Sequence, residues 1–550
     1  MDAIERIIGY HERSKHHPHR YALGPGYLDW ANQPDPFRRF AGCELVPLLL
    51  PETDDTPPYE ALFGPGAIPP SAVSHRSVSR FFECSLALSA WKQFGDSRWA
   101  LRINPSSGNL HPTEGYLVVG PELPGIPGPG VYHYAPKEHG LERRCEFAAD
   151  VWSAFSARFP SGSFLVGLSS ILWREAWKYG ERAFRYCQHD VGHALGALRI
   201  SAAMLGWRLT VLEGMGDESL AGVLGLDRGE DFSGIEQEEP DLLAVVWPSG
   251  EAGEMARIVP HEFVEGVRAG RWMGRGNRLS REHVEWDEID AAADATRKLA
   301  TEPSPCRTVE TRPGGDEIDR NGPTAKQIIF QRRSAVALDG RTGISSETFF
   351  RMLGRVAAIG DPACVPWDSI GWPPCIDLLM FVHRVESLNP GLYALVRDPR
   401  RVEVLRSEMK TEFIWTRPKH CPNDLPLFLL YETDCRQGAA QLSLGQAIAG
   451  DGAFSLGMIG RFEESLRETG PWFYRRLFWE AGMVGQVLYL EAEAAGVRAT
   501  GIGAYFDDAV HDVFGLHGRR FQSLYHFTVG TAVEDTRLQT NPPYPFVRPG

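Results

Sequence analysis

Asn104-Pro105-Ser106-Ser107-Gly108-Asn109-Leu110-His111-Pro112-Thr113-Glu114-Gly115-Tyr116 is the stretch around which the 550-residue chain is organised. Two prolines bracket small hydroxyl, amide and glycine positions, and the apolar run Tyr116-Leu117-Val118-Val119 follows. Proline fixes the backbone, and glycine lets it turn and come close to a ligand. Ser106, Ser107 and Asn109 then offer donors and acceptors on a short platform. Such a platform suits a planar heterocycle whose edge needs several hydrogen bonds at once. Taken alone, the stretch also fits a polar turn ahead of a strand.

Further segments decide between these readings. The stretch resembles the flavin-ring segment of the nitroreductase superfamily, in the form found in SagB-type (McbC-like, thiazole/oxazole-forming) dehydrogenases. The resemblance extends through Gly130-Val131-Tyr132-His133-Tyr134 and Trp177-Lys178-Tyr179-Gly180-Glu181-Arg182 to Gly192, and returns between Arg332 and Pro543. It implies an α+β fold of two nitroreductase-like domains, each a central antiparallel-rich sheet flanked by helices. Family members bind FMN and are normally homodimers with the flavin at the subunit interface, so one chain carrying two copies implies an intrachain pseudo-dimer.

The composition bounds the class. A chain this long needs more than one core, and 43% hydrophobic with 23% charged residues is an ordinary globular balance. A net charge of -14 with scattered basic residues argues against a nucleic-acid or anionic-membrane surface as main partner. No apolar segment is long enough to span a bilayer, and Met1 to Arg6 lacks the layout of a signal peptide. Nine cysteines without a Cys-x-x-Cys pair fit reduced thiols in a cytoplasm.

In chain order, residues 1–72 read as an N-terminal arm, 73–248 as a first domain, 249–323 as a linker and 324–550 as a second domain. His11, His16, His17 and His19 in the arm lack carboxylate or Cys partners at ligand spacing, so a wrapping arm is expected rather than a metal site. Arg76-Ser77 is expected just before a helix that includes Phe82 to Leu88. A long helical segment between Trp173 and Trp207 repeats Val191, Leu195, Leu198, Ala202 and Leu205 at spacings of four and three, which predicts one buried face. His189-Asp190-Val191-Gly192-His193 within it resembles the zinc-binding His-Glu-x-x-His. Asp shortens the general-base arm and no third ligand follows, so core or surface histidines are expected. In the linker, a helix around Glu282 to Leu299 is expected, with Ser280 as its cap.

The organising fact is an internal repeat. Phe184 to Gly225 lies on Tyr474 to Gly515 without a gap, each pair 290 positions apart (192 against 482), and Ser77 and Ser334 are the upstream anchors. Two composite sites are then conceivable. One combines Arg332-Arg333-Ser334 and Gly501-Ile502-Gly503 of the second copy with Pro105, Ser106, Ser107 and Asn109 of the first. The resemblance implies that the arginines and Ser334 clamp the FMN phosphate, with Arg537 as a second basic contact. It also implies that Gly501 to Gly503 let a backbone N–H approach flavin N5. The other site would pair Arg76-Ser77 with Val365 to Pro374, where bulky tryptophans replace the Ser-Ser-x-Asn pattern, and Val211-Leu212-Glu213 replaces Gly-Ile-Gly. One functional FMN site and one vestigial site are expected.

Lys178-Tyr179 matches the Lys-Tyr pair that SagB-type azoline dehydrogenases place near the flavin, and the second copy has Glu468-Thr469 there. A buried lysine of lowered pKa, or the tyrosine hydroxyl, could take the proton lost when a C–H bond gives up hydride. An exposed lysine beside a packed tyrosine is the plain alternative. Three functions follow. One is a SagB-type dehydrogenase that oxidises azoline rings in a peptide, which would imply cyclodehydratase partners. The second is an NAD(P)H-dependent reductase of nitro compounds or quinones. The third is a flavin-binding scaffold without turnover.

Overall fold

The computed structural model describes residues 2–51, 53–64, 66–121, 123–250, 255–302, 322–358 and 364–544. Two antiparallel sheets form its frame. The first runs, in spatial order, Gly140–Glu146, Gly130–Ala135, Thr113–Val119, Phe164–Ser170, Glu239–Pro248 and Trp207–Val211, and short strands extend its outer edge. The second runs Leu427–Glu432, Gly391–Leu395, Ile376–Val382, Phe454–Arg461, Phe521–Gly530 and Arg498–Ile502. Read by position in the chain, the two orders are the same. The central strands Thr113–Val119, Phe164–Ser170 and Ile376–Val382 are buried at every residue, because helices cover both faces.

The long helices Ala183–Met204 and Phe473–Ala494 start and end 290 positions apart and pack on each other between the sheets. Their crossing is at Gly192 and Gly482. A Cβ on Gly192 would overlap the Trp479 carbonyl, and one on Gly482 the His189 carbonyl, so only glycine permits this approach. All 22 residues of the first long helix are buried, not one face as periodicity predicts. The remaining faces are covered by the other half of the same chain, which a local pattern cannot register. The segment after Trp173 is in fact two helices, Leu172–Tyr179 and Ala183–Met204, joined through Gly180.

Buried charges tie the halves together reciprocally. Arg185 of the first long helix pairs with Asp507 at 2.7 Å, and Arg475 of the second pairs with Asp217 at 2.7 Å. The arm and the linker repeat this symmetry. Asp507 N–H donates to His16 O (3.1 Å) and receives His16 N–H on its carboxylate (2.9 Å). Asp217 N–H donates to Lys298 O (2.9 Å) and receives Lys298 N–H (2.9 Å). The arm helix Ala3–Arg13 and the linker helix Asp287–Ala295 pack together. Arm and linker are therefore matching elements, one per half, rather than an appendage and a tether.

Three local expectations are corrected. The helix at Arg76 is His75–Glu83, and Arg76 and Ser77 lie inside its first turn, where Ser74 and Ser77 form a reciprocal cap. Leu88 begins a strand, Leu88–Phe94, paired with Ser97–Arg102. The linker helix is shorter than expected, and Ser280 does not cap it: its hydroxyl donates to Asn32 O and accepts from Trp173 Nε1. Part of the expected linker, residues 303–321, lies outside the described residues.

Candidate functional site

A cavity of about 510 Å³ opens between the halves. Its floor is the predicted platform. Pro105 leads into a tight turn, Ser107–Asn109, where Gly108 and Asn109 take φ of 58° and 61°. Glycine suits this left-handed backbone, and Asn is among the side chains that tolerate it best. The position of Gly108 is also sterically closed. A Cβ there would lie 2.5 Å from the Tyr179 hydroxyl and 3.1 Å from Lys178 Nζ. Both groups of the Lys-Tyr pair thus meet the backbone at one point of the platform. Tyr179 lines the cavity, while Lys178 stands half-buried behind it. Burial, reinforced by the nearby Glu175 carboxyl, pushes the Tyr179 hydroxyl well above its ordinary pKa, so it is held neutral as a donor.

The platform's polar groups are largely engaged by the protein. Asn109 Nδ2 donates to Ala100 O (2.9 Å), and its carbonyl faces His111 Nε2 (3.0 Å). Ser106 Oγ accepts His111 N–H (2.8 Å), and Ser107 N–H and Oγ–H both donate to Asp190. Asn109 therefore braces the turn instead of pointing a free amide at a ligand.

The opposite wall comes from the second half. Arg332 ends the helix Ala325–Gln331 and is buried; its Nη2 donates to Arg102 O (3.1 Å) and its Nε has no partner. Arg333 Nη1 donates to Phe330 O (2.7 Å) and Arg332 O (2.6 Å). Neither has a carboxylate partner among the described residues, whereas Arg498 on the same wall pairs with Glu493 at 2.7 Å. Burial lowers the pKa of Arg333 to about 10, and its cationic neighbours Arg332 and Arg498 add to the shift. A buried and a half-buried cation, neither ion-paired to a carboxylate, favour an anion in the cavity.

Ser334 shares a hydrogen bond with the Tyr489 hydroxyl (2.8 Å), which also accepts Gly501 N–H (3.0 Å). The glycines here make room for protein rings: a Cβ on Gly501 would overlap the Tyr525 hydroxyl, and one on Gly503 would lie 2.5 Å from Tyr186. Ile502, between them, also lines the cavity. Arg537 is the one predicted binding residue that stands apart. It is exposed, pairs with Asp535 at 2.8 Å and does not line the cavity, because that ion pair and the Phe94 ring hold it on the outer surface.

Sequence reading missed Asp190, Tyr186, Tyr489 and Tyr525, all of which line the cavity. The repeat carried a signal for two of them, since Tyr186 faces Arg476 and Asp190 faces Glu480 across it. His189 and His193 are core histidines: His189 stacks on Tyr525 at 4.1 Å, and His193 Nε2 lies 3.2 Å from its hydroxyl. Among the described residues no group of His, Cys, Asp and Glu could hold a metal ion.

The pseudo-equivalent position is filled. Between Val211, Leu212, Trp472 and Arg476 only about 20 Å³ remains. Arg476 lies over the Trp372 and Trp472 rings at 4.7 and 4.4 Å. It donates to Glu213 O (3.3 Å), as Tyr186 donates to Gly503 O (3.0 Å) in the open site. Lys298 Nζ enters from the linker and bonds Met215 O (3.0 Å) and Thr301 Oγ1 (2.9 Å). Arg76 pairs with Asp55 at the surface.

The comparisons with known proteins follow this geometry. Residues 386–531 match the Nitroreductase family. A crystal structure of an Anabaena variabilis protein described as a nitroreductase covers 97% of this chain and 100% of its own, with a TM-score of 0.68 and 21% identity. The chain therefore has the nitroreductase fold, with the family's sequence pattern in its second half. More particularly, the trifolitoxin-processing protein TfxB of Rhizobium leguminosarum bv. trifolii is 34% identical over 132 residues, 22% of this chain. That match spans 35% of TfxB, about a third of the relative's length. The Escherichia coli microcin synthetase McbBCD complex aligns over 45% of this chain and 94% of that chain, with 16% identity and a TM-score of 0.26. No helix among the described residues is long and apolar enough to cross a membrane.

Proposed function

We propose that this chain is an FMN-dependent oxidoreductase of the SagB type, acting on azoline rings in a peptide. One observation carries the reading. The cavity joins buried Arg332 and half-buried Arg333, neither ion-paired to a carboxylate, to a platform on which Lys178 and Tyr179 converge. The residues fit the cofactor. Arg332, with its orphaned Nε, Arg333 and Ser334 would hold the phosphate, and the Pro105–Asn109 turn would face the ring. Bound FMN would supply a two-electron acceptor for hydride. The chain's own part is to bind, to orient the substrate, and to accept or donate the accompanying proton beside Gly108. The match to a protein named for processing trifolitoxin supports a peptide substrate over a free quinone or nitro compound.

The test is a flavin count and a substrate comparison on the purified full chain. A single FMN per chain, lost on Arg333→Ala/Ser334→Ala, with loss of two hydrogens from a thiazoline peptide, is the expected result. Two FMN per chain would show that the filled site binds. Rapid turnover of NAD(P)H with a simple quinone, and none of the peptide, would replace the SagB reading with that of a flavin reductase. Failure to take up FMN would leave a scaffold.

A further inference from the structure

Behind the platform lies a second chemical group that nothing above uses. Glu175, on the helix Leu172–Tyr179, is fully buried and neither carboxylate oxygen has a hydrogen-bond partner. It sits one turn before Lys178 and Tyr179, on the helix face they share. Asp190, on the first long helix, is also buried; it reaches the cavity and accepts from Ser107 N–H at 3.1 Å and Ser107 Oγ–H at 3.4 Å. The Ser106 hydroxyl lies beside both carboxyls.

We propose that Glu175 holds a proton beside ionised Asp190, the two acting as a paired acid behind the platform that exchanges this proton with the occupant of the cavity past Ser106 and Ser107. The assignment within the pair follows from donors. Asp190 receives two hydrogen bonds and is the ionised member. Glu175 has only the Ser106 hydroxyl beside it, and a buried carboxylate so poorly solvated costs several kcal/mol, so it carries the proton. Burial raises both groups, Glu175 well above its ordinary range and Asp190 to about 7, with the Asp190 charge the next largest contribution at Glu175. Lys178 and Arg174 on the same helix oppose that shift at Glu175 without cancelling it; Tyr179 and Cys187 also face it and are neutral.

The repeat supplies an internal control. The helix Glu463–Thr469 ends at the position matching Tyr179, and there Ser465 stands for Glu175 and Glu468 for Lys178. Glu480, matching Asp190, is fully engaged by Arg397, Cys375 N–H and Ile376 N–H. The unpaired acid, the Lys-Tyr pair and the open cavity occur together in one half and are absent together from the other.

The inference rests on the proposed flavin site only for what the proton serves, so the test has an arm that needs no flavin. The infrared spectrum of the ligand-free full chain at neutral pH is expected to show the carbonyl stretch of a buried protonated carboxyl, lost in Glu175→Gln. With FMN bound, proton uptake on reduction is expected to fall in Glu175→Gln while flavin content is retained, and Asp190→Asn should move the same pH profile. A protonated-carboxyl band that survives Glu175→Gln unchanged overturns the proposal. So does unaltered proton uptake in a variant that still holds its flavin. A wild-type chain that takes up no FMN but keeps the band refutes the flavin reading and leaves the paired acid standing.

Discussion

Arg333→Met separates what the anion site does for folding from what it does for binding. In the ligand-free protein Arg333 is a cation without a carboxylate partner, and its pKa falls from 12.5 to about 10. That shift corresponds to about 3 kcal/mol by which burial and the neighbouring Arg332 and Arg498 disfavour the charged form. Its bonds to Phe330 O and Arg332 O return about 1 kcal/mol each, leaving a net cost of about 1 kcal/mol. Methionine fills similar space without the charge, so the ligand-free variant should be as stable as the parent or more stable by about 1 kcal/mol. Binding should move the other way. Truncating one member of a buried charge pair costs about 2–5 kcal/mol, which weakens FMN affinity by roughly 30-fold to several thousandfold. At FMN about 100 times the parent's Kd, the parent gains about 2.7 kcal/mol from ligand and the variant under about 1. Thermal melts with and without FMN read both quantities: unchanged or higher Tm alone, and little or no rise on adding FMN. A variant destabilised by 2 kcal/mol or more without ligand, or one that keeps the parent's FMN-induced rise, would refute the reasoning.

Three further outcomes follow from named contacts. Gly108→Ala must hold a Cβ against the Tyr179 hydroxyl in left-handed backbone, which costs about 1–2 kcal/mol for the backbone alone; turnover should fall at least tenfold while flavin content, measured by absorbance, stays near that of the parent. Asp507→Ala strands Arg182 and Arg185 in the core and should destabilise the chain by about 3–5 kcal/mol in denaturant melts, whereas Asp535→Ala at the surface should leave them nearly unchanged. His133, hydrogen-bonded between Glu114 and Glu142, has its pKa raised to about 9 from 6.5 despite full burial. A raised folded pKa stabilises fully below pH 6.5 and is lost as pH rises through about 9, a contribution of about 3 kcal/mol. Denaturation midpoints should therefore drop between pH 7 and pH 10 in the parent and stay flatter in His133→Phe.

The gapless repeat made the centre of the fold legible because a 290-residue offset relates the two long helices and the short helices after them, down to the reciprocal Arg185–Asp507 and Arg475–Asp217 pairs. The platform was legible because proline, glycine and asparagine act locally. What the sequence concealed depends on contacts between distant segments. Asn109 is also bonded to Ala100 O and His111, and Gly501 and Gly503 also make room for the Tyr525 and Tyr186 rings, contacts that no local pattern reveals. The long helix showed one apolar stripe because its other faces bury polar groups such as Gln188 and His193 against partners hundreds of residues away.

Joining the halves in one chain explains why the two sites could part company. In a symmetric dimer every residue serves both sites, so a tryptophan or arginine that fills one fills the other. Here Tyr186 and Arg476 hold the same station and each donates to the matching carbonyl, Gly503 O or Glu213 O, so the backbone link is kept by two different side chains. Tyr186 leaves the cavity open beside the platform. Arg476, held between Trp372 and Trp472, closes it with cation–π contacts that also offset part of its burial. Lys298 completes the plug through the linker, while its counterpart His16 turns away, its Nδ1 occupied by Ala22 N–H. The filled site therefore contributes packing between the halves, and the open one retains the buried cations and the unpaired acid.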